Sequence, residues 1–202
     1  MRAVLLLLSL LLAPAARADE ALLAALRAGS TVIFMRHAET GPPWPDHAGA
    51  VLGDCASQRD LTEAGRAQAE AMGEAIRDLG IPIGTVLASP FCRTMETAVL
   101  AFGTATPTAS LGLPPKLDAT AHAGMGQALL DLVAKAARGD APGNLVLVGH
   151  SYHLMAAGGP RPDPQGATAI LRPRPGGGFD TLALLPPDGW RRLAHPQTAE
   201  AR

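Results

Sequence analysis

The chain has 202 residues, with 17 Lys and Arg against 18 Asp and Glu. This length suffices for one domain with a real hydrophobic core. The near-neutral, slightly acidic balance excludes nucleic acid or an anionic membrane as the main partner, so any attraction for an anion has to be local.

Met1-Arg2 is a short positive start, the run from Ala3 to Leu12 is almost unbroken in its apolarity, and Ala16-Arg17-Ala18 presents small residues where a signal peptidase reads. This pattern predicts a secretory signal over residues 1–18, cleaved before Asp19, and a mature domain over residues 19–202 that is periplasmic or secreted. The apolar run is shorter than the roughly 20 residues a bilayer core requires, so no membrane span is expected after cleavage.

Glu20 to Arg27 predicts a short helix with Leu22, Leu23 and Leu26 on one face. Thr31 to Met35 is apolar and β-branched, the signature of a buried strand, and it ends at Arg36-His37. Pro, Gly and Ala from Gly41 to Gly53 read as a loop. Thr62 is the expected N-cap of an amphipathic helix in which Ala64, Ala67, Ala71, Met72, Ala75, Ile76 and Leu79 recur at helical spacing, stopped by Gly80 and Pro82. A second strand, Thr85 to Ala88, leads into Ser89-Pro90 and a helix from about Arg93 to Phe102. A weaker extended piece falls near Lys116-Leu117, and a further helix runs from about Met125 to Arg138, with Gly139 as its stop. Asn144 to Val148 is the third apolar strand, ending at Gly149-His150. Beyond a Pro/Gly-rich loop from Gly158 to Gly166, Ala167 to Leu171 and Phe179 to Leu185 predict a hairpin around Gly176-Gly177-Gly178, and the tail after Trp190 reads as irregular. Strands alternating with helices give the α/β class: a three-layer α/β/α sandwich on a mostly parallel sheet, with the hairpin as an antiparallel edge.

Three strands thus end in Arg36-His37, in Ser89 with Arg93 close behind, and in Gly149-His150. In open α/β sheets the carboxyl ends of parallel strands face one crevice, where ligands bind. Two arginines and two histidines far apart in sequence are therefore expected together. A guanidinium matches phosphate oxygens and keeps its charge. A neutral imidazole, with one ring nitrogen held as N–H by a neighbour, can attack phosphorus through the other. Arg93 also opens a helix, whose backbone N–H groups favour anions.

These residues resemble a known family. Met35-Arg36-His37-Ala38-Glu39-Thr40 is similar to the signature of the histidine phosphatase superfamily, the phosphoglycerate-mutase-like proteins. Arg59-Asp60-Leu61-Thr62-Glu63-Ala64-Gly65, then Ser89-Pro90 with Arg93, Thr97 and Ala98, then Val148-Gly149-His150, follow in the family's order from about Ile33 to His150. The resemblance implies a phosphomonoester hydrolase with His37 as nucleophile, and with Arg36, Arg93 and His150 forming the phosphate pocket. It adds Glu39 and Ser89 as substrate-binding candidates and Asp118, the sole acidic residue between Gly103 and Gln127, as general acid; His153 lies outside the motifs and joins the substrate-binding candidates because it is close to His150. No cofactor or metal is expected, because the arginines supply positive charge and no ligand spacing occurs. Two departures stand out. Ala38 replaces the commoner glycine, at a cost in backbone freedom, and Ser151 rather than an acid follows His150. Arg59 and Asp60 read as a structural pair, and His47, His122 and His195 as loop or surface residues. The loops Gly41 to Asp54 and Gly103 to Ala123 carry the specificity, in no readable code.

Cys55 and Cys92 form an even pair in an exported chain and are expected to be bonded. Two other readings compete. A non-catalytic relative would bind a phosphorylated ligand or a partner on the same fold. A serine hydrolase would use Gly149-His150-Ser151-Tyr152-His153 as its elbow, with Asp188 and His195 following, but His153 stands where that elbow needs glycine.

Overall fold

The computed structural model describes residues 13–42, 50–137 and 142–195. The apolar run of residues 1–12, His47, the Arg138-Gly139 stop and residues 196–202 lie outside the described residues.

The elements run α1 (Ala13–Arg27), β1 (Val32–Arg36), α2 (Glu63–Asp78), β2 (Ile83–Ala88), α3 (Cys92–Phe102), β3 (Thr106–Pro107), α4 (Ala119–Ala136), β4 (Asn144–Gly149), α5 (Ser151–Ala156), β5 (Thr168–Pro173), β6 (Phe179–Leu185) and α6 (Gly189–Ala194). The six strands form one sheet in the order β3-β2-β4-β1-β5-β6. β3, β2, β4 and β1 are mutually parallel, and β5 and β6 add the antiparallel edge.

Alternation along the strands divides the core into two. Ile33, Met35, Val86, Val146, Val148 and Ile170 face one side, packed with residues of α1, α2, α3 and α6. Val32, Phe34, Leu147, Ala169 and Leu171 face the other, against α4 and α5. This is the expected three-layer sandwich, and it follows from a side-chain period of two on strands buried on both faces. Asn144 ties its lower edge together. Its side chain accepts from the Thr31 amide and hydroxyl and donates to the carbonyls of Leu26 and Pro82.

Four expectations change. The first helix begins at Ala13 and runs through the expected cleavage point, since alanines propagate a helix readily. α4 begins at Ala119, six residues early, because Asp118 caps it by accepting the Ala121 N–H at 2.9 Å. Lys116-Leu117 is not a strand; the sheet is extended instead by Thr106–Pro107. The segment from Trp190 is ordered as α6: Trp190 is fully buried and donates its indole N–H to Thr168 Oγ1 at 3.3 Å.

Candidate active site

The strand register builds the site. Met35 on β1 and Ala88 on β2 both pair with Val148 on β4. The next residues, Arg36, Ser89 and Gly149, therefore stand at one level, and His37 and His150 follow at the rim. All five lie at the carboxyl ends of adjacent parallel strands, as the topological argument requires.

His37 is buried, and its backbone is fixed on both sides: its amide donates to Gly149 O and its carbonyl accepts from Gly166 N. Nδ1 lies 2.8 Å from the Ala38 carbonyl. A carbonyl can only accept, so Nδ1 carries the proton and Nε2 keeps its lone pair. Burial above all pushes the His37 pKa down to about 3; the Ala38 hydrogen bond opposes it, and the guanidinium charges of Arg93, Arg59 and Arg36, each a smaller effect, add to the lowering. The imidazole is neutral across the physiological range, the state a nucleophile needs.

His150 stands beside it, ring centroids 5.6 Å apart at 65°. Its Nε2 is 3.0 Å from Ser89 Oγ, and Phe91 packs edge-on at 5.3 Å. Burial first, then competition with the neighbouring His37 for a proton and the charge of Arg93, hold His150 well below its usual pKa. Arg93 is buried in the first turn of α3, its guanidinium 4.7 Å over the Phe91 ring. Arg36 donates from Nη1 to Pro162 O at 3.1 Å and to Asp163 Oδ1 at 2.8 Å.

The structure brings His37, His150, Arg36, Arg93 and Ser89 together as expected, and adds residues the sequence reading passed over. Arg59, read as structural, is buried, and its charge acts on both His37 and His150. Its place in the block leading to Thr62 was the available signal. Thr97 accepts the Ala38 amide at 3.0 Å and donates to Arg93 O at 2.6 Å, joining the nucleophile's loop to the arginine's helix. Asp163 and Gln165, the latter accepting from the Thr40 amide at 2.8 Å, come from a loop with no motif. Gly65 explains why α2 approaches so closely: a Cβ there would meet Glu39 O at 2.0 Å.

Cys55 and Cys92 are bonded, with Cα atoms 5.7 Å apart. The bridge fastens the β1–α2 loop to the first residue of α3, next to Arg93, and the Cys92 amide donates to Gln58 Oε1 at 2.9 Å. A larger cavity, roughly 580 Å³, opens at the opposite ends of the strands by Thr31, Leu145 and Arg172 and involves none of these groups.

Residues 32–117 match the family model of the histidine phosphatase superfamily, branch 1. By signature and by fold, the chain resembles the histidine phosphatase superfamily. The protein histidine phosphatase SixA complexed with tungstate superposes with TM-score 0.55 at 18% identity, covering 78% of this chain and 97% of that one. A phosphoserine phosphatase from Entamoeba histolytica gives 0.54 at 15% identity, over 76% and 95%. The ecdysone phosphate phosphatase of Bombix mori, complexed with tungstate, gives 0.54 at 18%, over 78% and 92%. No curated protein matches the chain.

Within this histidine phosphatase fold the departures become interpretable. Ala38 needs no glycine: among the described residues no non-glycine residue has positive φ, and its methyl packs with Leu61 and Ala69. Glu39 is exposed and accepts from the Thr62 hydroxyl at 2.9 Å, bracing the α2 cap. Asp118 caps α4 with its other oxygen 3.9 Å from Lys116 Nζ, and no contact joins it to His37 or His150. Ser151 opens α5 on the α4 face of the sheet, whereas Asp188 bonds Arg192 on α6, which packs on α2. The elements of the serine-hydrolase alternative therefore fall in opposite layers. Among the described residues no His, Cys, Asp and Glu cluster is placed to hold a metal ion.

Proposed function

We propose that the chain hydrolyses a phosphomonoester through a phosphohistidine on His37, acting on a substrate outside the cytoplasm. The observation carrying this reading is the neutral His37, its Nδ1–H spent on Ala38 O and its Nε2 free among three guanidinium groups. Nε2 attacks phosphorus, the bond to the bridging oxygen breaks, and the leaving oxygen takes a proton as it departs. Water then attacks the phosphohistidine, the P–N bond breaks, and phosphate leaves with His37 regenerated.

Arg36, Arg59 and Arg93 hold the nonbridging oxygens and stabilise the charge that spreads over them in the transition state. A Ser89 hydroxyl donating into His150 Nε2 leaves the His150 Nδ1–H to donate to the same oxygens. The disulfide and the signal-like N-terminus support export. No helix of the described residues is long and apolar enough to cross a membrane.

The test is His37→Ala with p-nitrophenyl phosphate, a leaving group that hardly needs an acid. Wild type turns over and takes up a rapid acid-labile label, and the variant does neither. Arg93→Ala loses at least about 10²-fold in rate, the scale of one preorganised electrostatic partner. Turnover in His37→Ala, or none in wild type, rejects the reading, the latter in favour of a non-catalytic binder.

A further inference from the structure

A second cavity, roughly 370 Å³, opens beside the site between the segment from Ala109 to Pro114 and α4. Leu52, Pro90, Leu113, Pro114 and Met125 line it with His153, the rest being Ala, Gly and one Ser, and no charged side chain takes part. It adjoins the phosphate-binding end of the crevice. Pro90 follows Ser89, which bonds His150, and the His153 ring lies 6.3 Å from the His150 ring.

His153 is the anomaly in this wall. It is fully buried, and neither ring nitrogen has a partner that meets full hydrogen-bond geometry, although the carbonyls of Gly112 and His150 lie close enough to act on the ring. A buried polar atom left without a partner is costly, so an imidazole placed against an apolar cavity calls for a ligand group to meet it. Burial pushes its pKa down to about 4, so at neutral pH the ring offers one N–H donor and one acceptor.

We propose that this cavity receives the leaving group of the substrate, an uncharged and largely apolar alcohol or phenol bearing one further hydroxyl, which His153 hydrogen-bonds. The proposal rests on the phosphatase reading of the neighbouring site. A sugar, nucleotide or second phosphate would lose its hydration here and find one polar partner and no counter-charge. A hydrocarbon ring gains by leaving water, and a hydroxyl on it satisfies the imidazole, so a substrate lacking that hydroxyl leaves His153 unpaired and is discriminated against.

Inert phosphonates test this by calorimetry without turnover. Methylphosphonate, benzylphosphonate and the three ring-hydroxylated benzylphosphonates are titrated into the full protein, its fold checked by a thermal melt. Benzylphosphonate binds at least about tenfold tighter than methylphosphonate, as burial of a phenyl ring requires. One hydroxylated isomer gains a further factor of about five, on the order of one net hydrogen bond. His153→Leu abolishes that second gain and keeps the first, and Leu113→Glu abolishes the first. Equal binding of methyl- and benzylphosphonate by wild type overturns the proposal, whatever the variants do. A hydroxyl gain that persists in His153→Leu, or its absence from all three isomers in wild type, overturns the role of His153. Because p-nitrophenyl phosphate turnover reports the phosphatase reading separately, the two fail independently.

Discussion

The Thr97 hydroxyl stands between the two halves of the site, accepting the Ala38 amide at 3.0 Å and donating to the Arg93 carbonyl at 2.6 Å. One buried side chain thereby sets the distance between the nucleophile's loop and the helix that carries a phosphate-binding arginine. Small displacements of this kind matter, because a shift of about 1 Å at a reacting group can cost about 10² in rate.

Thr97→Val is isosteric and leaves the Ala38 N–H buried without a partner. It should destabilise the fold by about 1–3 kcal/mol, read from chemical denaturation, and lower kcat for p-nitrophenyl phosphate by at least about tenfold through misplacement of His37. Thr97→Ser restores both. A variant with wild-type kcat would show that Thr97 is structural only.

The three buried histidines set the pH behaviour. His37 is held down to about 3, His153 to about 4, and His150 well below its usual value. Each is neutral in the folded protein but titrates near 6.5 when unfolded, so the unfolded chain binds more protons in mild acid. Stability is complete above that unfolded value and falls as pH drops from it toward the folded values. Each histidine contributes a slope of about 1.4 kcal/mol per pH unit. Denaturation midpoints between pH 8 and 4 check the slope. Over the same range the ring resonances of His37 and His150 should show no midpoint, and that of His153 should shift only at the acid end, near pH 4. An inflection of His37 near its ordinary value would contradict the site as described.

The Cys55–Cys92 bridge closes a loop of 37 residues' separation and anchors the residue before Arg93. Cys55→Ser should lower stability by up to about 4 kcal/mol in the chain-entropy model and reduce kcat by loosening α3. Mass spectrometry of the unreduced exported protein should find no free thiol. Two free thiols, with activity intact, would remove the bridge from the active form.

Asp118→Asn separates capping from proton donation, because asparagine caps a helix as well as aspartate does. With Asp118 Oδ1 occupied by the Ala121 amide, we expect wild-type stability and rates within about twofold for both alkyl and aryl phosphates. A general acid would contribute about 10²–10⁴-fold. A defect of that size confined to the alkyl ester would assign the leaving-group proton to Asp118.

Much of this protein is local, and the sequence carries it. The β-branched runs that make β1, β2 and β4, the Thr62 cap, the hairpin β5–β6 and the residues at three strand ends depend on near neighbours and a period of two. From them the sandwich and the meeting of Arg36, His37, Arg93 and His150 could be read, as could the cysteine pair. What only the tertiary structure decided depends on contacts across long separations. Arg59 reaches both histidines because Thr40 bridges to Leu61 and Gly65 lets α2 close on Glu39. Asp163 meets Arg36 across a loop without periodicity. Trp190 is buried because α6 folds back onto α2, which no short-range pattern announces. His153 faces a cavity because α4 and the chain from Ala109 to Pro114 stand apart at that point. Local propensity selects strands and helices, whereas the partner of a buried polar group is fixed by which surfaces pack together.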